Sequence, residues 1–423
     1  MTMNDRYNTH TQSEIEQQVE QPAVQYSLDG LEFEIPTRDF VIALEITSAI
    51  IERRSGAGSL NDIKIEARGN TLVFTATNDT ILIEYMTGAD IKSGGMMIVD
   101  VSILSSIVKK IVDQKIFVTV TDGSIALKTT TCDFRVHGAA VEQFASFVMV
   151  DNVISEFEIP VIEFLTLIKY CEFSMLCNDT RYNLNGIHIQ CDNIDNNDNN
   201  NMGFGNNGSN HTITAVSTDG HRLSVIHRPI SQVTGLFSVT LPMKTVRQLY
   251  NIYQSPNLIQ QTANVKITKN KFQITTDHLK ISSKLLNAAF PEYKNLIPQA
   301  GTNVLKIQGK ILFDTIERIS VISSDVFRGI KLTLANKEII ISAYSDIKGC
   351  AQETISCTSD IDQLCQYNGE FIEIGFNARY LLDILHHAKA SIVILQMNTN
   401  VDPVVCSIDK LDSAQFVVMP VKI

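Results

Sequence analysis

The sequence contains no run approaching the roughly 20 apolar residues that a membrane helix requires, although 44% of its 423 residues are hydrophobic. That share is ordinary for a soluble globular chain, so no membrane association is expected. It also lacks any C-x-x-C pair. Eight cysteines stand at 132, 171, 177, 191, 350, 357, 365 and 406, in a chain long enough to need no disulfide staples, and reduced thiols are the expected state. Cys171 and Cys177 are spaced too loosely for a zinc ligand pair, so neither a metal nor another cofactor is expected. Catalytic signatures are missing as well: there is no G-x-S-x-G, no H-E-x-x-H and no phosphate-binding Gly-rich loop. The first 26 residues lack both the apolar core of a secretory signal and the basic, acid-poor character of a transit peptide. They are expected to form a disordered tail on a cytoplasmic protein.

What the sequence does have is repetition. An extended segment ending at Pro or a polar residue, followed at once by an amphipathic helix, recurs six times. FEIPTRDFVIAL from Phe33, FEIPVIEFLTLI from Phe157 and LKIQGKILFDTI from Leu305 open three equivalent units. A second series, IVDVSILSSIV from Ile98, TLPMKTVRQLY from Thr240 and IGFNARYLLDIL from Ile374, gives each unit a second copy. A period of roughly 120 to 150 residues means repeated domains rather than a solenoid. The length agrees, since domains of roughly 100–200 residues predict two to four of them.

Each helix is followed by strands of alternating polarity, among them NTLVFTATND from Asn70, HTITAVSTDG from His211 and EIIISAYSDI from Glu338. Each unit therefore reads as two helices and about eight strands, an α+β domain with its helices gathered on one face of antiparallel sheets. The expected division is a tail over 1–26 and domains over 27–150, 151–298 and 299–423. One irregularity stands out, an Asn/Gly-rich insertion over residues 192–210 with almost no side chain suited to a core. It is expected to be a disordered loop. A calcium loop of the EF-hand type would need Gly at its sixth position and Glu at its twelfth, where Asn197 and Gly203 stand.

Charge is unevenly spread. The net value is −11, which argues against binding a polyanion. Helices predicted over 37–54, 101–115, 161–175, 243–253, 309–323 and 378–389 nevertheless carry 13 Lys or Arg against 9 Asp or Glu. If they share a face, that face is mildly basic and could hold nucleic acid through phosphates without reading sequence.

RYNLNGIHI from Arg181, STDGHRLSV from Ser217, FPEYKNLIP from Phe290 and VVMPVKI from Val417 resemble, in order and spacing, segments of the bacterial DNA polymerase III beta subunit, the sliding clamp family. The resemblance covers about residues 27–423. It implies a head-to-tail homodimer, a ring of six similar domains around duplex DNA with helices lining the hole. It also implies a non-enzymatic processivity factor in DNA replication, with the replicative polymerase, the clamp loader and repair proteins as partners. Two rivals from other classes are a monomeric nucleic-acid-binding module and a hydrolase on repeated α+β domains. The hydrolase would need catalytic geometry, and Asp219, His221 and Arg222 come with no nucleophile and positioned base.

Carried over position by position, the resemblance implies a pocket for partner peptides formed by Leu184, Thr218, Gly220, His221, Arg222, Leu223, Pro291, Leu296, Asn377, Tyr380, Val401, Val417, Val418, Met419, Pro420 and Val421. Most are apolar, and Met is adaptable, which suits a groove accepting several related peptides. Arg54, Asn178, Arg181 and Tyr182 fall where the family contacts DNA. Asn183 departs from the family there, standing where a second aromatic often sits, and RRSGAGSL from Arg53 lacks the usual prolines. For the dimer interface the resemblance indicates Phe134 and Val136 on one side and Val321 and Ile322 on the other.

Overall fold

The computed structural model describes residues 30–51, 61–78, 80–138, 144, 152–177, 180–193, 211–299, 301–323, 328–335, 337–357, 364–411 and 413–422. Among these residues are seven α-helices: α1 Thr37–Ser48, α2 Val101–Val108, α3 Val161–Lys169, α4 Met243–Tyr253, the short α5 Pro256–Ile259, α6 Gly309–Ser320 and α7 Ala378–His386. All six predicted strand-helix junctions are present. Pro36, Pro160 and Pro242 stand at N-cap positions with φ of −58°, −56° and −60°, the angle the pyrrolidine ring imposes, so the turn from strand to helix is built into the residue. Asp100 and Asn377 work differently, each accepting a backbone N–H from the first turn of its helix, at 3.0 Å from Ile103 and 3.0 Å from Arg379.

Apart from α4, the long helices end earlier than the sequence pattern suggests. Near the end of α1, the Thr47 hydroxyl donates to the Ala43 carbonyl at 2.6 Å and the Ser48 hydroxyl to Glu45 at 3.2 Å, the local competition that makes such residues poor helix interiors. Beyond α2 the chain must turn to bury Ile111 and enter the strand Lys115–Thr121. This shortening corrects the charge reading. The six long helices carry seven Lys or Arg against six Asp or Glu. The basic excess therefore belongs to the turns after them, such as Lys109, Lys110 and Lys389, and not to a helical face.

Every strand pair is antiparallel. A five-stranded sheet lies within the first unit and ends at Asp133–His137, while a four-stranded sheet lies within the third and ends at Gly349–Ser356. The other two sheets cross unit boundaries. Leu279–Lys284 of the second unit pairs with Ile81–Gly88 of the first, and Arg222–Ile230 of the second pairs with Ala414–Val418 of the third. Each unit is thus joined to the next edge to edge, which satisfies backbone groups that a sheet edge would otherwise expose. The helices pack as pairs, α1 with α2, α3 with α4 and α6 with α7, over one continuous apolar core.

The insertion begins later than predicted, because Asp192 and Asn193 still belong to the strand Gly186–Asn193, and Asn193 pairs with His211. A hairpin therefore brackets it. Residues 194–210, like the predicted tail over 1–26, lie outside the described residues.

Candidate functional site

The segment Thr218–Leu223 forms a tight turn between two strands of the nine-stranded sheet. Asp219 accepts the backbone N–H groups of His221 at 2.9 Å and Arg222 at 3.1 Å, while the Thr218 hydroxyl donates to the Arg222 carbonyl at 2.6 Å. Gly220 takes φ +91°, and a Cβ there would stand 3.1 Å from the Arg181 guanidinium, so glycine serves both the conformation and the close approach. Asp219 is occupied by this turn. Its oxygens accept from the backbone of the turn and from the Arg222 side chain.

Arg222 is only 8% exposed. Its guanidinium donates to Asp219 at 2.9 Å, to Asp383 on α7 at 2.6 Å and to the carbonyl of Phe173. It also lies over the rings of Tyr380, 4.7 Å from the centroid, and Phe173, 5.5 Å away. A buried charge needs such saturation to be tolerated. Because Phe173 and Asp219 belong to the second unit and Tyr380 and Asp383 to the third, Arg222 fastens the seam between them. Next to it, Tyr170 and Phe173 pack against His387, and both also meet Phe416. Burial, with Lys169 and His386 close by, pushes that imidazole down to about 4.

The C-terminal segment completes the surface. Val417 and Val418 pair with Leu223 and Arg222. The Met419 N–H then donates to His221 at 2.9 Å and the Val421 N–H to Gly375 at 2.9 Å. The predicted groove residues fall into two sets. Leu184, Thr218, Arg222, Leu223, Val417 and Val418 are buried and form its floor, so their first role is packing. Gly220, His221, Pro291, Leu296, Val401 and Met419 are exposed, while Asn377, Tyr380, Pro420 and Val421 are half-buried. His221 stacks on Tyr380 with centroids 6.2 Å apart. Asn377 is spent on capping α7.

Several participants were not anticipated. Phe173 and Asp383 hold Arg222, and Tyr293 packs with Val216, Leu223, Val225 and Val417 beneath the connector that carries Pro291 and Leu296. No local motif marks Phe173 or Asp383, and only the phenol of FPEYKNLIP hinted at Tyr293. A cavity of about 630 Å³ lies on the other side of this connector and shares Pro291 and Tyr293 with the groove. There His188 stacks on Phe290 at 4.7 Å and bonds the hydroxyls of Thr240 and Ser238. That cavity is lined mainly by polar groups, whereas Pro291, Leu296, Val401 and Met419 at the groove are exposed and apolar.

Of the predicted DNA contacts, Arg54 and Asn178 lie outside the described residues. Arg181 sits against Gly220, and Tyr182 is exposed on a three-ten turn. Asn183 donates to the Ala289 carbonyl at 3.3 Å, tying this turn to the connector. At the predicted interface, Phe134 and Val321 are exposed, 37% and 68%, and Ile322 is half-buried. Val136 departs from expectation. It is 7% exposed and belongs to the first unit's core, although strand alternation puts it on the same face as Phe134. No cluster of three or more metal-ligating side chains occurs among the described residues.

Family models for the DNA polymerase III beta subunit match in order: the N-terminal domain over residues 31–148, the central domain over 158–292 and the C-terminal domain over 294–422. The beta sliding clamp of Rickettsia bellii is 32% identical over 396 residues, covering 92% of this chain and 99% of that protein. That of Escherichia coli K12 is 29% identical over 268 residues, 63% of this chain and 66% of its own length. Among solved structures, the sliding clamp from Pseudomonas aeruginosa bound to griselimycin superposes with a TM-score of 0.82 at 23% identity, covering 93% of this chain and all of that one. The chain belongs to the DNA polymerase III beta subunit family, the bacterial sliding clamps.

Proposed function

We propose that two copies of this chain close head to tail into a ring around duplex DNA and tether the replicative polymerase to its template without catalysing a reaction. The observation that carries this reading is the outer strand at one end of each sheet confined to a terminal unit. Three units already join edge to edge within the chain, and Asp133–His137 in the first and Gly349–Ser356 in the third each lack a second partner strand among the described residues. A second copy would satisfy both at once, with Phe134 and Val321 as an apolar centre inside a polar rim. The near-neutral helices suit a protein held on DNA by topology, since a strongly basic lining would grip phosphates and resist sliding.

The groove around His221, Leu296, Val401 and Met419 would take short apolar peptides from the polymerase, the clamp loader and repair proteins, with the buried set keeping its floor rigid. Arg181 and Tyr182 would reach DNA from the adjacent turn. The setting would be the cytoplasm, where bacterial DNA is copied. Polymerase product length on primed circular DNA, with a clamp loader present, tests the whole reading. Long products should require this protein and disappear when the circle is linearised. Equal lengths with and without it would rule the function out, and a monomer in sedimentation would favour an open nucleic-acid-binding module.

A further inference from the structure

The third unit has two sheet edges that come together at one point. Gly349–Ser356 is the outer strand of the four-stranded sheet, and Cys365–Asn368 is the outer strand of the nine-stranded sheet. Cys357 follows the first directly and Cys365 opens the second, and their sulfurs are in contact at 3.9 Å. Both positions are anchored by backbone. The Cys357 N–H donates to Lys337 at 2.9 Å, Cys365 pairs with Ile307, and the Leu364 carbonyl accepts from Gln308 at 2.8 Å. The approach of the two sulfurs is therefore set by strand placement.

We propose that Cys357 and Cys365 are a reversible dithiol–disulfide pair, the reduced form being the one described here, and that oxidation staples the two edge strands together. A bond of ~2.0 Å requires the sulfurs to close by roughly 2 Å, within reach of side-chain rotation. The oxidant is a small-molecule disulfide. The Cys357 thiolate attacks one of its sulfurs, forming a mixed disulfide and releasing one thiolate. Cys365, having given up its proton, then attacks the Cys357 sulfur and expels the second. Two protein thiols lose two electrons and two protons, and one external disulfide becomes two thiols. The order follows from exposure, since Cys357 is half-buried and Cys365 fully buried. Burial also pushes the Cys365 thiol up to about 12, which keeps it from reacting first. In a reducing compartment such a pair would be transient, as redox-responsive disulfides there are.

The test uses the full-length protein in glutathione buffers of increasing oxidised fraction, quenched by acid, alkylated and mapped by peptide mass spectrometry. The expected product is a linked Cys357–Cys365 peptide pair, two hydrogens lighter than its parts and released by dithiothreitol. It should form before glutathione accumulates on the exposed Cys177 and Cys350. In Cys365→Ser the reaction should stop with glutathione on Cys357, whereas in Cys357→Ser the thiol of Cys365 should stay free. Alkylation of both residues after Cys177 and Cys350 have been modified would overturn the proposal. So would glutathione held on Cys357 in the unmutated protein with no link formed.

Discussion

Replacing Arg222 by Met removes a cation from a site where it is 8% exposed and leaves three acceptors behind: Asp219, Asp383 and the Phe173 carbonyl. Removing one partner of a buried ion pair costs about 3–5 kcal/mol. The Asp219 and Asp383 side chains are 13% and 30% exposed, so water recovers part of the loss and the lower end, about 3 kcal/mol, is expected. Asp383→Asn keeps an acceptor oxygen and should cost about 1 kcal/mol. The double variant should then show a coupling of about 1–2 kcal/mol, because the two changes remove one shared contact. The damage should be local to the seam between the second and third units. Native-state hydrogen exchange reads this directly, and a single unfolding free energy is poorly defined for three units. Amides in 222–226 and 414–418 should exchange on the order of 10²-fold faster in Arg222→Met, with the five-stranded sheet of the first unit unchanged. If those amides change less than about threefold, or the coupling falls below about 0.5 kcal/mol, strand pairing alone holds the seam and the argument for Arg222 fails.

Met419→Ala combined with removal of 421–423 should weaken binding of a polymerase-derived peptide by about 2 kcal/mol in calorimetry, with the protein still dimeric, because Met419 is an exposed anchor on a rigid floor. Val321→Asp should give a folded monomer in sedimentation that slides from closed circular DNA, since the residue is 68% exposed and a buried carboxylate at a dimer contact would lack a partner. Val136→Asp should instead unfold the first unit. Deleting 202–209 should leave the melting temperature within a few degrees, because Asn193 and His211 already close the hairpin and closure entropy varies slowly with loop length. His387, held down to about 4 by burial, stays neutral in the fold while an ordinary imidazole protonates near 6.5. Its contribution is complete above pH 6.5 and is lost as pH falls from there towards 4. His387→Phe should therefore lessen acid sensitivity in that window, and a His387 proton resonance titrating near 6.5 in the native state would contradict this.

Local chemistry decided much of this protein without help from the fold. Prolines 36, 160 and 242 and the caps Asp100 and Asn377 carry their turns in their own side chains. The repeat and the helix starts were therefore legible from residues alone, as was the family through its clustered motifs. Tertiary structure decided whatever depended on distant partners. Helix ends moved because Ile111 had to be buried, and with them the apparent basic face dispersed into turns. Val136 proved to be core and Phe134 surface although both are apolar and share one face of the strand, since only the neighbouring layer determines how far along that face the cover extends. Arg222 read as a groove residue and became a clamp between units, because Phe173 and Asp383 reach it from 49 and 161 residues away. No pattern within a short window can report a contact whose energy comes from two elements meeting across a seam.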